Sequence, residues 1–351
     1  MQNKEAGMAE FKIIYMDAST PYERGRQYGK QAEPEIHQSV HYYRRLFEKK
    51  QNWDEILAYA LNYIPMVETY DKDSLEELKG IADASGHSLA EILVVNCRYE
   101  ISKFDRVPKE CTTGAVLPDA TADGSTYVFK NMDLGSGVKP FLVLLSISTP
   151  DGYKGIGITE AGQLVRDGFN RDGLAMVNDA LVSTEDFPGI GIPGTFVRKK
   201  IWKSKTIEEA ENIILSATRT VSGNMIVGSS TGQALDFEQH PSQTDIICPE
   251  NSILTHANRF TVKTEINAPY PHTHRRDVRM RELLSQKAPK ITVEYLMDCL
   301  RDHKCYPDSI CRHNDRDTHA TVSSTIIDLS HRTAYICVGN PCQGNYTTYQ
   351  L

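Results

Sequence analysis

The sequence lacks any long apolar run. Its first residues, MQNKEAGMAEFKIIYMD, hold no hydrophobic stretch of the roughly 7–15 residues that a secretory signal needs, and no later segment approaches the ~20 apolar residues of a membrane-spanning helix. Long basic runs are absent as well, and the formal net charge of -7 disfavours nucleic acid and anionic membrane surfaces as partners. We therefore predict a cytoplasmic protein with a small-molecule or peptide substrate, no nucleic-acid partner and no membrane partner. A homo-oligomer is compatible with the sequence.

Cysteine is also sparse. Eight cysteines in 351 residues are too widely spaced for a disulfide framework, so we expect most of them to be reduced, buried thiols. His303-Lys-Cys305 and Cys311-Arg-His313 bring four nitrogen and sulfur ligands together in sequence, but the six-residue step between their cysteines exceeds the C-x₂₋₄-C spacing of structural zinc sites. We therefore expect neither a metal nor a cofactor.

The first third of the chain carries helical signals. Residues 20–105 contain four candidate N-caps, at which a side chain accepts a hydrogen bond from a free backbone N–H at a helix start. These are Thr20, Asn52, Ser74 and Ser88. Gly86 is placed to end a helix, and Gly25 and Gly29, four residues apart, predict close packing of one helix face.

From Cys111 onward the chain changes to short apolar runs separated by turn residues, which is typical of antiparallel strands. The predicted strands are Tyr127–Lys130, Phe141–Ser148, Gly155–Thr159, Gly173–Asn178, Met225–Gly228, Ala234–Glu238, Ser252–Ala257, Thr321–Asp328 and Thr333–Gly339. Helical patterns interrupt them at 194–217 and 275–301. This order predicts a layered α+β fold. We expect a mainly helical segment, 1–110, followed by a second domain, 111–351.

Several polar motifs follow in a particular order. They are Cys111-Thr-Thr, Lys130-Asn-Met-Asp133, Gly168-Phe-Asn-Arg-Asp-Gly-Leu-Ala-Met-Val-Asn178, Leu254-Thr-His-Ala-Asn258, Ser309-Ile-Cys-Arg312-His and Val338-Gly-Asn-Pro-Cys. In this order they resemble the acyl-coenzyme A:6-aminopenicillanate (isopenicillin N) acyltransferase family of self-processing N-terminal-nucleophile (Ntn) hydrolases. The helical segment resembles that family's pro-region at Glu76-Glu77-Leu-Lys-Gly-Ile-Ala and at Asn96-Cys-Arg.

The resemblance implies a fold and a mechanism. The fold would be an αββα sandwich of two antiparallel sheets between helical layers, with the helical segment packed on it. The precursor would cleave itself between Glu110 and Cys111 into an α and a β fragment that stay together. Cys111 would then be an N-terminal nucleophile, because its own α-amino group, with a pKa of roughly 8, can accept the thiol proton. Water or an amine would release the acyl group of an N-acyl amide or acyl thioester substrate.

The resemblance also implies roles for other residues. Asp133 would hold the α-amino group or the polar end of the substrate, and Asn178 and Asn258 would line the oxyanion hole. Arg312 would orient the nucleophile region or pair with a substrate carboxylate. Lys130 takes a substrate-binding position at which the bile salt hydrolase branch has arginine.

Glu110 stands where family precursors often have glycine. A carboxylate beside the scissile bond can slow or redirect cleavage. An unprocessed family member acting as a binding module therefore stays open as an alternative.

A serine esterase is a further alternative. Gly228-Ser-Ser-Thr-Gly232 matches the G-x-S-x-G nucleophile elbow, which would make Ser230 the nucleophile. The elbow requires a following helix, whereas the next residues alternate like a strand, so we predict a hairpin turn. The glycine-rich segment Gly189–Gly194 predicts a loop that lines the substrate site.

Overall fold

The computed structural model describes residues 10–101, 111–268, 274–314 and 319–351. Over these residues the helices are α1 (Pro21–Gln31), α2 (Glu33–Phe47), α3 (Trp53–Leu61), α4 (Ile64–Ser85), α5 (Leu89–Asn96), α6 (Arg98–Ile101), α7 (Gly194–Trp202), α8 (Ile207–Ser216), α9 (His274–Lys287) and α10 (Val293–Leu300). The strands are β1 (Lys12–Met16), β2 (Cys111–Val116), β3 (Tyr127–Gly135), β4 (Leu142–Ser148), β5 (Lys154–Glu160), β6 (Asp167–Asn170), β7 (Leu174–Asp179), β8 (Gly223–Ser229), β9 (Gln233–Gln239), β10 (Thr244–Ile247), β11 (Ile253–His256), β12 (His319–Asp328), β13 (Thr333–Val338) and β14 (Tyr346–Gln350).

The strands form two sheets. The eight-stranded sheet has the order β1-β4-β5-β6-β7-β8-β9-β10, and the six-stranded sheet has the order β11-β2-β3-β12-β13-β14. Among the described strands the ladders are antiparallel, as predicted, apart from that of β1, which pairs with β4 in parallel at one edge. A parallel pair needs a long connection, which the helices of the first third supply here.

Helices cover the outer faces of both sheets. The inner faces meet where β2 and β3 contact β7 and β8. Outside them, α7 and α8 pack on the eight-stranded sheet, and α9 and α10 pack on the six-stranded sheet. The predicted α+β class and the αββα layering are confirmed. No helix in the described ranges is both long and apolar enough to cross a membrane.

The helical first third shares the core of the sheets. Buried side chains of α1 and α5, such as Tyr28 and Ile92, belong to the same apolar cluster as Leu144 on β4 and Val227 on β8. Tyr43, Arg98 and Tyr99 add polar contacts to the same boundary. The helical segment is therefore packed on the sheet layers as expected, while division of the chain at residue 110 stays a prediction.

Two helices approach each other through glycines. A Cβ atom added at Gly25 of α1 would lie 2.0 Å from the backbone oxygen of Glu77, and one added at Gly80 of α4 would lie 2.0 Å from that of Tyr22. Since no real Cβ tolerates such contacts, only glycine permits this separation between the helix backbones. The predicted close packing at Gly25 is confirmed.

Three of the four predicted N-caps are confirmed. Thr20, Asn52 and Ser88 each accept a backbone N–H at a helix start. Ser74 instead lies inside α4, where the backbone of Asp71 is non-helical and its Oδ1 accepts from the Ser74 N–H at 3.2 Å. The cap was predicted three residues too late, because aspartate performs the same function.

Candidate active site

Cys111 opens β2 inside the six-stranded sheet and is buried. In the ladder with β3 it lies opposite Met132, and Thr113 lies opposite Lys130. Residues that face each other across a ladder share one side of the sheet. That side is the inner one, because Thr113 Oγ1 donates a hydrogen bond to Asp179 Oδ2 on β7 of the other sheet at 2.7 Å. The thiol therefore belongs to the space between the sheets.

Lys130 crosses this space to the eight-stranded sheet. Its Nζ lies 2.9 and 2.7 Å from the two carboxylate oxygens of Asp167 on β6, and both side chains are buried. Asp167 Oδ1 also accepts from the backbone N–H and the side-chain amide of Asn178, at 2.9 and 2.7 Å. The second Nδ2 hydrogen of Asn178 goes to the Arg166 carbonyl. Lys130 and Asn178 are thus joined through an aspartate that the sequence analysis missed.

Asn258 contacts the backbone of Cys111 directly. It follows β11 in the left-handed conformation, with φ of 51°, which asparagine adopts more readily than most residues. Its Oδ1 accepts from the Cys111 backbone N–H at 2.5 Å and from Arg276 Nη2 at 2.9 Å, while its Nδ2 donates to the Ala180 carbonyl at 2.8 Å. These partners fix the orientation of the side-chain amide, with its oxygen toward Cys111.

Arg276, on α9, was not predicted. It is buried, and the same Nη2 lies 3.3 Å from the Cys111 carbonyl oxygen. The cation thereby holds both the Asn258 side chain and the first peptide carbonyl of β2. Arg276 stands in an Arg-rich helical stretch with no local mark that separates it from its neighbours, so sequence reasoning had no signal for it.

Asp133 and Arg312 are joined on the other side of β3. Because side chains alternate along a strand, Asp133 lies on the outer face of the sheet, whereas its neighbour Met132 lies on the inner face. Asp133 Oδ1 accepts from Thr321 Oγ1 at 2.6 Å, and that hydroxyl accepts from the Arg312 backbone N–H at 2.9 Å. Both Asp133 and Arg312 are buried. The structure brings the two predicted residues together through Thr321, and their roles stay predictions.

The Cys111 thiol is held in its protonated form. Burial raises its pKa above the ordinary value, and the nearby carboxylates of Asp133 and Asp179 raise it further. The cations of Lys130 and Arg166 act in the opposite direction without overcoming the burial. In the continuous chain Cys111 is therefore a thiol at neutral pH, and attack by its sulfur requires a group that accepts the thiol proton.

A buried histidine anchors the loop that carries Asn258. His256 Nδ1 lies 2.9 Å from Asp179 Oδ2, and its Nε2 lies 3.2 Å from Glu238 Oε1. Burial opposes charging, yet Asp179 and Asp236 raise the pKa of His256 well above its ordinary value. Glu238 also accepts from the backbone N–H groups just after Asn258, at 261 and 262. This network was missed, although His256 stands two residues before Asn258 in its motif.

A small cavity lies beside Asn178. Its volume is about 70 Å³, and α6, α7, β7 and β8 contribute lining residues, among them Asn178 and Glu100, together with Ala180 just after β7. Ile192 and Gly194 from the glycine-rich loop line it as well. The cavity borders the residues that contact Asn258 and Asp167, although Cys111 itself is not in its wall.

Ser230 lies in a hairpin. The segment Gly228–Gly232 joins β8 to β9, and the Ser230 N–H donates to the Gly173 carbonyl at 2.8 Å. The predicted hairpin is confirmed, so the strand-to-helix setting of a nucleophile elbow is not present there. Glu110, the other side of the predicted cleavage site, lies outside the described residues.

Known proteins resemble the chain over most of its length. The sequence profile of the acyl-coenzyme A:6-aminopenicillanic acid acyl-transferase family matches residues 120–343, which include Asp133, Asn178, Asn258 and Arg312. The 40 kDa form of acyl-coenzyme A:6-aminopenicillanic-acid-acyltransferase from Emericella nidulans is 26% identical over 336 residues, with 92% of this chain and 91% of that protein aligned.

The chain also aligns with solved structures. Penicillin V acylase from Agrobacterium tumefaciens superposes with a TM-score of 0.49 and 15% identity, covering 69% of this chain and 86% of that chain. The N-acylethanolamine-hydrolyzing acid amidase ortholog from Caenorhabditis elegans gives a TM-score of 0.47 and 15% identity, covering 63% of this chain and 93% of that chain.

Proposed function

Because the chain belongs to the acyl-coenzyme A:6-aminopenicillanic acid acyl-transferase family, we propose that it cleaves itself before Cys111 and then uses this cysteine as an N-terminal nucleophile. As a member of that family it is an enzyme of acyl transfer or hydrolysis at amide bonds. The finer proposal, which concerns the nucleophile and its activation, is argued from the surroundings of Cys111.

The observation that supports it is the hydrogen bond from the Cys111 backbone nitrogen to Asn258 Oδ1. In the continuous chain this nitrogen is an amide and has no basic lone pair. Once the bond to Glu110 is hydrolysed, the same atom is a primary amine with a pKa of roughly 8. It belongs to the same residue as the thiol. Cleavage thus creates the base that the protonated, buried thiol lacks.

The cleavage step balances without a cofactor. The Cys111 sulfur attacks the carbonyl carbon of Glu110, the C–N bond breaks, and the thiol proton passes to the departing nitrogen. Water then hydrolyses the thioester, which leaves a carboxylate on Glu110 and a free amine and thiol on Cys111.

Turnover repeats this chemistry on an N-acyl amide or acyl thioester. The amine takes the thiol proton, the sulfur attacks the substrate carbonyl, and the leaving amine or thiol departs with that proton. Water or an amine acceptor removes the acyl group. Asn178 and Asn258 are the proposed oxyanion donors. Both Nδ2 hydrogens of Asn178 are engaged in the continuous chain, and Asn258 turns its oxygen toward the Cys111 N–H while its Nδ2 donates to the Ala180 carbonyl. On this proposal both side-chain amides therefore change partners after cleavage.

Intact mass and a denaturing gel test the proposal. We expect fragments of 110 and 241 residues from the 351-residue chain, and amidase activity that rises as they form. Cys111→Ala should stay whole and inactive, whereas Cys248→Ala, which removes an exposed thiol, should behave as the wild type. An uncleaved wild-type chain with full amidase activity would refute the α-amino mechanism.

The Glu110→Gly variant distinguishes a chain that cleaves itself slowly from one that does not cleave itself at all. If the carboxylate retards cleavage, this variant should mature faster than the wild type and reach the same final activity. An uncleaved Glu110→Gly chain whose Cys111 does not react with a small thiol-directed electrophile at neutral pH would support the binding-module alternative instead.

A further inference from the structure

Four metal-ligating side chains converge beyond one end of the six-stranded sheet, outside the candidate active site. They are His303, Cys311, His313 and Cys342, and their ligand atoms all lie within 4.8 Å of one another. Three of these residues belong to the set considered from the sequence. The fourth member considered there, Cys305, lies outside the group and is exposed. Cys342, from the loop after β13, takes its place. The sequence analysis considered only ligands close together in the chain and therefore did not include it.

Four of the six separations between the ligand atoms are close to those of a coordination tetrahedron. With Zn–S bonds of about 2.3 Å and Zn–N bonds of about 2.0–2.1 Å, tetrahedral angles put two sulfurs about 3.8 Å apart, sulfur and nitrogen about 3.6 Å apart, and two nitrogens about 3.3 Å apart. The two sulfurs, of Cys311 and Cys342, lie 3.6 Å apart. His313 Nε2 lies 3.9 and 3.4 Å from these sulfurs and 3.0 Å from His303 Nε2.

We propose that this Cys₂His₂ group binds one Zn²⁺ ion. On binding, each cysteine loses its thiol proton to solvent and each histidine binds through its unprotonated Nε2, so two thiolates neutralise the dication. Four protein ligands complete the tetrahedron and leave no position for water or substrate. The site is therefore structural rather than hydrolytic.

A side-chain amide outside the cluster reaches one of its sulfurs. Asn340 Nδ2 lies 3.6 Å from Cys311 Sγ and is placed to donate to it, and the Cys311 backbone N–H donates to the Asp302 carbonyl at 3.0 Å. Donors to a ligating sulfur orient it and stabilise its charge. The same Asn340 amide also donates to the Arg312 carbonyl.

The cluster brackets a residue of the candidate active site. Cys311 and His313 are the immediate neighbours of Arg312, whose backbone N–H donates to the Thr321 hydroxyl that binds Asp133. An ion held on both sides of Arg312 would fix this loop against the loop of Cys342. Removal of the ion should therefore loosen Arg312 and Asp133 without touching the Cys111 thiol.

Metal content of the tag-free full-length protein tests the site. We expect about one zinc ion per chain in the wild type, as in other closed four-ligand sites. Cys342→Ser and His313→Asn should weaken zinc binding by more than the 10–100-fold that changes in the outer shell typically cost. Cys305→Ser is the matched control and should retain the metal. Equal zinc content in Cys342→Ser and Cys305→Ser would overturn the proposal, as would a wild type that takes up no zinc after incubation with it.

Two measurements on the unmutated chain guard against a variant that fails to fold. Cobalt(II) replacing zinc should give the strong visible bands of a tetrahedral site and a thiolate-to-metal charge-transfer band in the near ultraviolet. Alkylation under native conditions should modify Cys342 only after a chelator is added, while exposed Cys305 reacts equally with and without it. A Cys342 that reacts at the same rate in both cases, or a Cys311–Cys342 disulfide in protein purified under reductant, would refute the site. Neither measurement depends on cleavage at Cys111, so the two proposals fail separately.

Discussion

The buried ion pair of Lys130 with Asp167 gives the sharpest stability prediction. The pair joins the two sheets next to Cys111, with both side chains buried and Nζ within 2.9 Å of each carboxylate oxygen. Lys130→Met keeps most of the apolar stem and removes the ammonium. Asp167 is then left with the two N–H groups of Asn178 as its named donors.

The expected loss of unfolding free energy depends on the hydrogen bonds that Asp167 keeps. Removing one partner of a buried pair costs about 3–5 kcal/mol, because the other charge stays buried without compensation. Since Asn178 still donates twice to Asp167, we expect a loss of about 3 kcal/mol for Lys130→Met. The double variant Lys130→Met with Asp167→Asn removes both charges and should lose less than the sum of the single changes by at least about 2 kcal/mol.

Urea unfolding in a Cys111→Ala background measures these values on uniformly uncleaved chains. Lys139→Met, at an exposed lysine, is the control and should change the free energy of unfolding by less than about 0.5 kcal/mol. A Lys130→Met chain as stable as this control, or a double variant that loses the full sum, would refute the argument. With Cys111 present, Lys130→Met should also shift thiol alkylation to higher pH, because the lysine cation lowers the Cys111 pKa.

Three further changes test other parts of the molecule. Gly80→Ala forces a Cβ to within 2.0 Å of the Tyr22 oxygen and should lower the unfolding free energy by at least about 1–3 kcal/mol in thermal melts, whereas Gly223→Ala meets open space and should not. Burial raises the pKa of Asp236 to about 7, so the folded state loses stability, by up to about 4 kcal/mol, as this carboxyl ionises between about pH 4 and pH 7. Asp236→Asn should not show this loss. A Tm difference between the wild type and Asp236→Asn that is the same at pH 4.5 and pH 8 would contradict the prediction. Asn258→Ala removes the acceptor that positions the Cys111 N–H at the proposed scissile bond and should slow self-cleavage at least about 10-fold in a gel time course, since a misplacement of reacting groups by about 1 Å can cost about 100-fold; unchanged cleavage would exclude a role for this bond.

Features that depend on neighbouring residues were predictable from the sequence. The caps at Thr20, Asn52 and Ser88 need only a side chain and a backbone N–H a few residues apart. All nine predicted strands are present for a related reason, since apolar runs between turn residues define them. The error at Ser74 is itself local, because two residues able to cap stand three positions apart.

Five strands within the described ranges were missed, and three of them show why. The runs of β2 and β6, CTTGAV and DGFN, contain turn formers such as Gly114, Gly168 and Asn170. They are strands because they are paired and buried on both sides. β1 is placed by its parallel pairing with β4 at the other end of a long connection. Such pairings are set by tertiary contacts, which periodicity does not carry.

The candidate site also contains residues that were predictable from their local sequence and residues that only tertiary contacts bring in. Cys111, Asn178 and Asn258 stand out because each lies at or just beyond a strand end, in one of the motifs that carry the family resemblance. Asp167 and Arg276 contact them from neighbouring elements, and neither belongs to the residues singled out from the sequence. No pattern in one sequence tells which of many aspartates and arginines will meet across two sheets.

The surroundings of Cys111 also explain why the proposed mechanism would use the chain's own nitrogen as its base. The buried histidine that lies nearest in sequence to the Asn258 loop, His256, is held between Asp179 and Glu238 and is charged. A protonated imidazole cannot accept the thiol proton. Lys130 and Arg276 are cations as well, and they are engaged with Asp167 and Asn258. The Cys111 nitrogen, by contrast, lies at the thiol by covalent structure and becomes basic when its peptide bond opens. On the proposed mechanism, activation therefore requires only the hydrolysis of one bond.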